Sequence, residues 1–138
     1  AFKYNYSSQF FANECKRIIE SHAAGTTTAK NDEINDDNNN VDGNPLFLYL
    51  AFQSVHNPYD VPPIDVNATF SEIFNYDRRI YRGMIKMMDD AISKVVDAFK
   101  ANGLWDDTVV VFTADNGGIG VGSNYPLRGT KVFNWEGG

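Results

Sequence analysis

The chain has 138 residues, of which 43% are hydrophobic and 14% aromatic, so it is expected to form one compact domain and wholesale disorder is excluded. Twelve Lys and Arg residues against eighteen Asp and Glu residues leave a net charge of −6. This charge repels a phosphate backbone, so nucleic acid is not expected as a partner, and no apolar run approaches the roughly 20 residues of a membrane-spanning helix.

The first predicted element is an amphipathic helix from Ser7 to His22. Its apolar residues recur at helical spacing, and Ser7 or Ser8 is expected to cap its first turn. Residues 23–44 follow, with many Asn, Asp and Thr residues and almost no large apolar side chain. Such a stretch buries too little surface to offset its ordering entropy, so it is predicted to be a disordered insertion.

The remaining elements are predicted to form a strand-helix-strand unit. Residues 46–52 are apolar at every position, the pattern of a strand covered on both faces. A long helix is predicted between Asp77 and Asn102, capped by Asn75 or Asp77 and stopped by Gly103, and residues 108–113 predict a second buried strand. Such units join parallel strands by a right-handed crossover, so both strands are expected to end at one edge of a sheet.

Polar side chains capable of chemistry follow both predicted strands. His56, after the first strand, supplies an imidazole for general acid or base catalysis. Asp115 and Asn116, after the second, supply the carboxylate and amide oxygens that calcium and magnesium prefer. Arg128 and Lys131, in a further loop, are cations able to hold an anion. Ligands bind at the carboxyl edge of open α/β sheets, so these groups are candidates for one site.

Each of these features also has a structural explanation when it is taken alone. The Asp-Asn-Gly-Gly sequence at 115–118 is typical of a plain turn, and a loop histidine such as His56 often serves only as a hydrogen-bonding spacer. Two oxygen ligands do not complete the shell of about six to eight that calcium takes, so further ligands are expected from elsewhere. Gly117 and Gly118 permit the turn that both ligands require.

Three other residues bear on chemistry. Cys15 is the single cysteine, which excludes an internal disulfide bond, and it falls on the apolar face of the first predicted helix, so a buried thiol is expected. The sequons at Asn5 and Asn67 are candidate N-glycosylation sites for a protein that enters the secretory route.

Four ordered blocks of sequence closely resemble the sulfatase family, in particular its arylsulfatase B-like branch. The blocks are QSVHNP, YRGMIKMMDDAISKVVDAF, GLWDDTVVVFTADNGG and PLRGTKVFNWEGG, and the resemblance runs from Pro45 to Gly138. It implies an α/β fold with an alkaline-phosphatase-like, mostly parallel sheet and flanking helices, of which only part is present. Residues 1–138 are then a partial catalytic domain, and the reaction implied is hydrolysis of a sulfuric ester.

The resemblance also implies roles for individual residues. His56 matches a histidine that protonates the leaving alcohol oxygen, and Lys131 matches a lysine that contacts the sulfate group. Asp115 and Asn116 match two ligands of a calcium ion. Arg128 lies in the same block as Lys131 and is assigned a structural part.

The formylglycine nucleophile of the family is made from a Cys/Ser-x-Pro-x-Arg motif, which this sequence lacks. Cys15 has neither the proline nor the arginine of that motif. Formylglycine is therefore expected in a missing N-terminal part, and the chain alone is expected to be inactive. The resemblance implies a sulfated sugar or aryl sulfate as substrate and a lysosomal or secreted location, and it leaves the oligomeric state open. The alternatives are a phosphoesterase of the same superfold, or an inactive fragment that acts as a binding or structural module.

Overall fold

The structure is a computed structural model that describes residues 6–31, 45–59 and 64–138. The helices in these ranges are α1 (Ser7–Asn31), α2 (Val66–Thr69) and α3 (Tyr76–Ala101). The chain divides into two compact units, one of Ala1–Gln53 with Met88–Thr108 and one of Ser54–Met87 with Val109–Gly138. Among the described residues, no helix combines the length and the apolar character that crossing a membrane requires.

Helix α1 begins where the sequence predicted, but its capping differs. The carbonyl oxygen of Tyr6 accepts hydrogen bonds from the backbone nitrogens of Gln9 and Phe10, both at 3.0 Å. Ser7 and Ser8 are therefore the first two residues of the helix and do not cap it, and Ser8 is fully buried. Tyr6 is thus the residue that flanks the first turn, and its carbonyl oxygen accepts the first hydrogen bonds of the helix.

The end of α1 also differs from the prediction, because the helix continues past His22 to Asn31. Residues 23–31, which the sequence assigned to the insertion, are therefore helical. Once a helix is nucleated, each further residue adds one backbone hydrogen bond, and Ala23 and Ala24 are good helix formers. The rest of the predicted insertion, 32–44, lies outside the described residues.

The buried apolar residues of the first unit come from α1 and from the second half of α3. They are Ala12, Cys15, Ile19, Ala91 and Ala98. The prediction of a buried Cys15 thiol is confirmed, since the residue is 6% exposed. Burial raises the pKa of this thiol, so it stays protonated and is a poor nucleophile at neutral pH.

Helix α3 has both of the ends that its sequence predicted. The Oδ1 atom of Asn75 accepts a hydrogen bond from the backbone nitrogen of Arg78 at 2.9 Å, which is the geometry of an N-cap. Gly103 ends the helix in the left-handed region, with φ of 68°. The backbone nitrogens of Gly103 and Leu104 donate to carbonyl oxygens of the last turn at 3.2 and 3.0 Å, which forms a Schellman motif.

The second unit buries apolar side chains of α2, of the residue that follows it and of the first half of α3. They are Val66, Phe70, Ile80, Met84 and Met87.

Helix α2 is short and depends on its cap, because the Oδ1 atom of Asp65 accepts from the backbone nitrogens of Asn67 and Ala68 at 3.0 Å. Arg79 of α3 then donates to the Oδ1 atom of Asn67 at 3.1 Å and to the carbonyl oxygen of Ile73.

The structure contradicts the prediction that residues 46–52 and 108–113 are buried. Phe47, Tyr49, Val109 and Val111 are all more than four-fifths exposed. A strand needs a neighbour to pair its backbone groups and covering elements on both faces, and no strand occurs in the ranges 6–31, 45–59 and 64–138. The predicted parallel sheet is therefore not confirmed.

Candidate functional site

The candidate metal ligands lie where the backbone bends after residues 108–113. Asp115 is exposed, and its Oδ1 atom accepts a hydrogen bond from the backbone nitrogen of Asn116 at 2.9 Å. The Nδ2 atom of Asn116 donates to the carbonyl oxygen of Gly117 at 2.9 Å. The other side-chain oxygens, Oδ2 of Asp115 and Oδ1 of Asn116, accept no hydrogen bond from the described part of the chain. Both are oxygen ligands of the type that calcium prefers, so the pair fits this cation by its chemistry.

This pair is an incomplete ligand set. Calcium takes about six to eight oxygen ligands, and Asp115 and Asn116 supply two side chains. Across the three described ranges, no group of three or more His, Cys, Asp or Glu side chains is arranged to hold a metal ion.

The side chain of Asn124 connects the two loops that carry the candidate residues. Its Oδ1 atom accepts from the backbone nitrogen of Gly118 at 2.8 Å. Its Nδ2 atom donates to the carbonyl oxygens of Gly118 and Gly129 at 2.9 and 3.1 Å. Gly118 follows the candidate metal ligands, and Gly129 precedes Lys131. The sequence analysis missed Asn124, because its partners are backbone groups of other loops and no sequence pattern marks them.

The backbone of Lys131 lies beside the same turn. Its nitrogen donates to the carbonyl oxygen of Gly118 at 3.4 Å, which is longer than the usual distance for such bonds. Lys131 is half-buried, and the next residue, Val132, has a φ of 82°, in the region that a β-branched residue rarely occupies. The structure therefore brings the Lys131 loop to the turn of Asp115 and Asn116.

Arg128 has contacts that suit the structural part assigned to it. Its guanidinium carbon lies 3.5 Å from the centroid of the Trp135 ring, and its Nε atom is 3.9 Å from Oε2 of Glu136. Its carbonyl oxygen also accepts from the backbone nitrogen of Gly137 at 2.8 Å. A cation stacked on an aromatic ring contributes about 0.5–2 kcal/mol, whereas an exposed ion pair contributes little. Arg128 thus holds the C-terminal segment to its own loop.

Gly117 is in close contact with that C-terminal segment. Its backbone nitrogen donates to the carbonyl oxygen of Gly138 at 3.2 Å. A Cβ atom at Gly117 would overlap the carbonyl oxygen of Gly137. Glycine is required here because another backbone approaches too closely for any side chain.

His56 is exposed, in a short loop of its own. Its Nδ1 atom is 2.7 Å from the carbonyl oxygen of Asn57. A carbonyl oxygen can only accept, so Nδ1 carries a hydrogen and is engaged by Asn57, which leaves Nε2 as the ring nitrogen available for proton exchange. Among the described residues, no hydrogen bond joins His56 to Asp115, Asn116 or Lys131.

Two tyrosines link the neighbourhood of His56 to the loop of residues 117–122, which contains four glycines. Tyr59 and Tyr81 meet edge to face, with ring centroids 5.9 Å apart. The Tyr59 hydroxyl lies 3.8 Å from the position of a Cβ atom at Gly120, and that of Tyr81 lies 3.2 Å from such a position at Gly122. Burial, with a smaller contribution from Tyr59, raises the pKa of Tyr81, which keeps its hydroxyl neutral. The sequence analysis missed this pair, whose members are far apart along the chain.

Of the two candidate glycosylation sites, the structure describes only Asn67. Asn5 lies outside the described residues. Asn67 and Thr69 are exposed on α2, and the Oδ1 atom of Asn67 is occupied by Arg79 at 3.1 Å. The amide nitrogen Nδ2 is the atom to which a glycan attaches.

Comparisons with known proteins point to one family. A model of the family described as Sulfatase matches residues 3–138. Arylsulfatase J of Mus musculus is 33% identical over 135 residues, which is 96% of this chain and 19% of the relative. A sulfatase of Formosa agariphila is 32% identical over 107 residues, or 68% of this chain and 19% of the relative. N-acetylgalactosamine-6-sulfatase of Homo sapiens is 31% identical over 100 residues, 68% of this chain and 18% of the relative.

The chain thus spans about a fifth of the length of these curated relatives. No solved structure matched it.

Replacement of Gly117 by alanine is expected to destabilise the second unit by about 1–3 kcal/mol, because the new methyl group displaces the backbone at Gly137. The matched control is Gly118→Ala, whose Cβ atom would lie 3.4 Å from Oδ1 of Asn124 and 3.5 Å from the Cα atom of Gly122, both ordinary contact distances. Urea unfolding of the two variants measures the difference, and equal stabilities would contradict the close approach described here.

Proposed function

Since the chain belongs to the sulfatase family, we propose that the complete protein hydrolyses sulfuric esters and that this chain supplies part of the active site. The observation that carries the proposal is the closure of two loops on one turn. Asn124 and the backbone of Lys131 both bond to Gly118, two residues beyond Asn116. A cation able to hold sulfate is thereby attached to the turn that offers two metal-ligating oxygens.

His56 is proposed as the general acid that protonates the leaving alcohol oxygen. Its Nδ1 hydrogen is held by the carbonyl oxygen of Asn57, so the proton to be transferred is on Nε2 of the imidazolium. After the transfer, the neutral ring keeps its hydrogen on Nδ1. The same carbonyl oxygen stabilises that tautomer, so the ring needs no reorientation during the step.

Lys131 is proposed to bind the sulfate group and to stabilise the negative charge of the transition state. An ammonium group placed in a partly buried site interacts with such charge more strongly than one in water. Asp115 and Asn116 are proposed to hold a calcium ion through their remaining side-chain oxygens. A bound divalent cation supplies orientation of the sulfate and neutralisation of its charge.

Several finer properties are part of the same proposal. The nucleophile is a formylglycine in another part of the protein, and the substrate is a sulfated sugar or an aryl sulfate. The complete catalytic domain is an alkaline-phosphatase-like α/β domain, in which residues 46–52 and 108–113 are strands. The protein acts in the lysosome or after secretion and carries N-linked glycans.

The 138-residue chain alone is expected to release no product from a chromogenic aryl sulfate, because no Cys/Ser-x-Pro-x-Arg motif occurs in its sequence. The assay compares the isolated chain with the full-length protein in the presence of calcium. Turnover by the isolated chain at a rate near that of the full-length protein would contradict the proposed division of the active site.

In the full-length protein, His56→Ala is expected to lower kcat for an alkyl sulfate by about 100- to 10,000-fold, the usual contribution of a positioned acid. The loss should be smaller for an aryl sulfate whose phenol leaves readily without protonation. His22→Ala, in α1, is the matched control and should leave both rates unchanged. Equal losses for both esters would argue against general-acid catalysis by His56, and an unimpaired variant would refute any catalytic role.

Asn67 is expected to carry an N-linked glycan when the full-length protein is expressed in a secretory host, because the sequon is exposed on α2. Mass spectrometry before and after glycosidase treatment measures the number of glycans. Asn67→Gln and Thr69→Ala should each remove one glycan, and Thr69→Ala leaves the bond from Arg79 to Asn67 intact. Thr69→Ser keeps the sequon and should retain the glycan. An unchanged number of glycans in both Asn67→Gln and Thr69→Ala would exclude Asn67 as a site.

A further inference from the structure

We propose that Asn124 is a positioning residue for the sulfate-binding ammonium group of Lys131. The inference rests on the proposed function. It starts from one side-chain amide whose two donor hydrogens and one acceptor are all used, at 2.8–3.1 Å, on backbone groups of Gly118 and Gly129. The same side chain therefore fixes the distance between the backbone at 118, which follows the candidate metal ligands, and the backbone at 129, which precedes the lysine.

The link to Lys131 is short in both sequence and space. Gly129 is two residues before Lys131, and the backbone nitrogen of Lys131 donates to the same carbonyl oxygen, that of Gly118, to which Asn124 donates. The bond at Lys131 is 3.4 Å long and therefore weak by itself. The shorter bonds of Asn124 are the ones that hold the lysine loop against the turn.

Asparagine is the residue type that this geometry requires. An aspartate of the same shape accepts from the nitrogen of Gly118 but has no hydrogen to donate to the carbonyl oxygens of Gly118 and Gly129. Alanine makes none of the three bonds and removes this partner from the nitrogen of Gly118 and the carbonyl oxygen of Gly129, both in half-buried residues, which is costly. Glutamine keeps the amide but is longer by one methylene group, so it forces the two loops apart.

A double-mutant cycle in the full-length protein tests the inference. Lys131→Ala is expected to lower kcat/KM for an aryl sulfate by about 100- to 1,000-fold, because removal of one hydrogen-bond donor to a developing anion usually has an effect of that size. Asn124→Ala and Asn124→Asp are each expected to lower it by up to about 100-fold, because displacement of a reacting group by about 1 Å has an effect of that size. The double variant Asn124→Ala/Lys131→Ala should be no slower than Lys131→Ala alone.

Ser123→Ala is the matched control in the same loop. The exposed Ser123 hydroxyl accepts one long bond, 3.4 Å, from the backbone nitrogen of Tyr125, and its loss should leave kcat/KM near the wild-type value. If the effects of Asn124→Ala and Lys131→Ala multiply in the double variant, Asn124 does not act through the lysine and the inference is overturned.

Amide hydrogen exchange separates failure of this inference from failure of the proposed function. Peptides that contain Lys131 should exchange faster in Asn124→Ala than in Ser123→Ala, whether or not the protein cleaves sulfuric esters. Equal exchange in the two variants overturns the inference. A wild-type protein that cleaves no sulfuric ester, with faster exchange in Asn124→Ala, refutes the proposed function and the catalytic consequence of the positioning, while the contact itself stands.

Discussion

The constraint on which the candidate site depends is that residues 115–138 form neither helix nor strand and must still satisfy their backbone polar groups. Bonds between loops meet this need. The peptide groups around Gly118 bond to Asn124 and to the nitrogen of Lys131, and Arg128 and Gly117 bond to the C-terminal glycines. Each bond is modest, but together they fix the geometry of a segment with little apolar burial of its own.

The two helices with the most regular sequence patterns are also the elements whose type could be predicted. The ends of α3 follow from local chemistry, since Asn75 caps it with its own side chain and Gly103 adopts the positive φ that stops it. The end of α1 does not, because residues 23–31 extend a helix that is already nucleated. Local signals are thus sufficient where the residue at the boundary itself caps or ends the helix.

The candidate site residues could be identified from the sequence, whereas the residue that holds their loops together could not. His56, Asp115 and Lys131 can be selected by residue type and by a family resemblance. Asn124 has no such mark, because its importance comes from backbone groups that only the folded loops bring within reach. The burial of residues 46–52 was predicted wrongly for a related reason, since an apolar pattern shows what a strand requires and the covering elements are not among the described residues.

The charges of this chain bear on the proposed role of Lys131 in binding an anion. The net charge of −6 disfavours any anion, although screening limits this repulsion to about 8 Å at physiological ionic strength. Arg128 is a poor source of local attraction, because it stacks on Trp135 and lies 3.9 Å from Glu136. Lys131 makes no ion pair with the described residues, so its charge is available to a ligand. If Lys131 binds sulfate as proposed, the strength of that binding depends on where the backbone holds its side chain and less on the net charge of the chain.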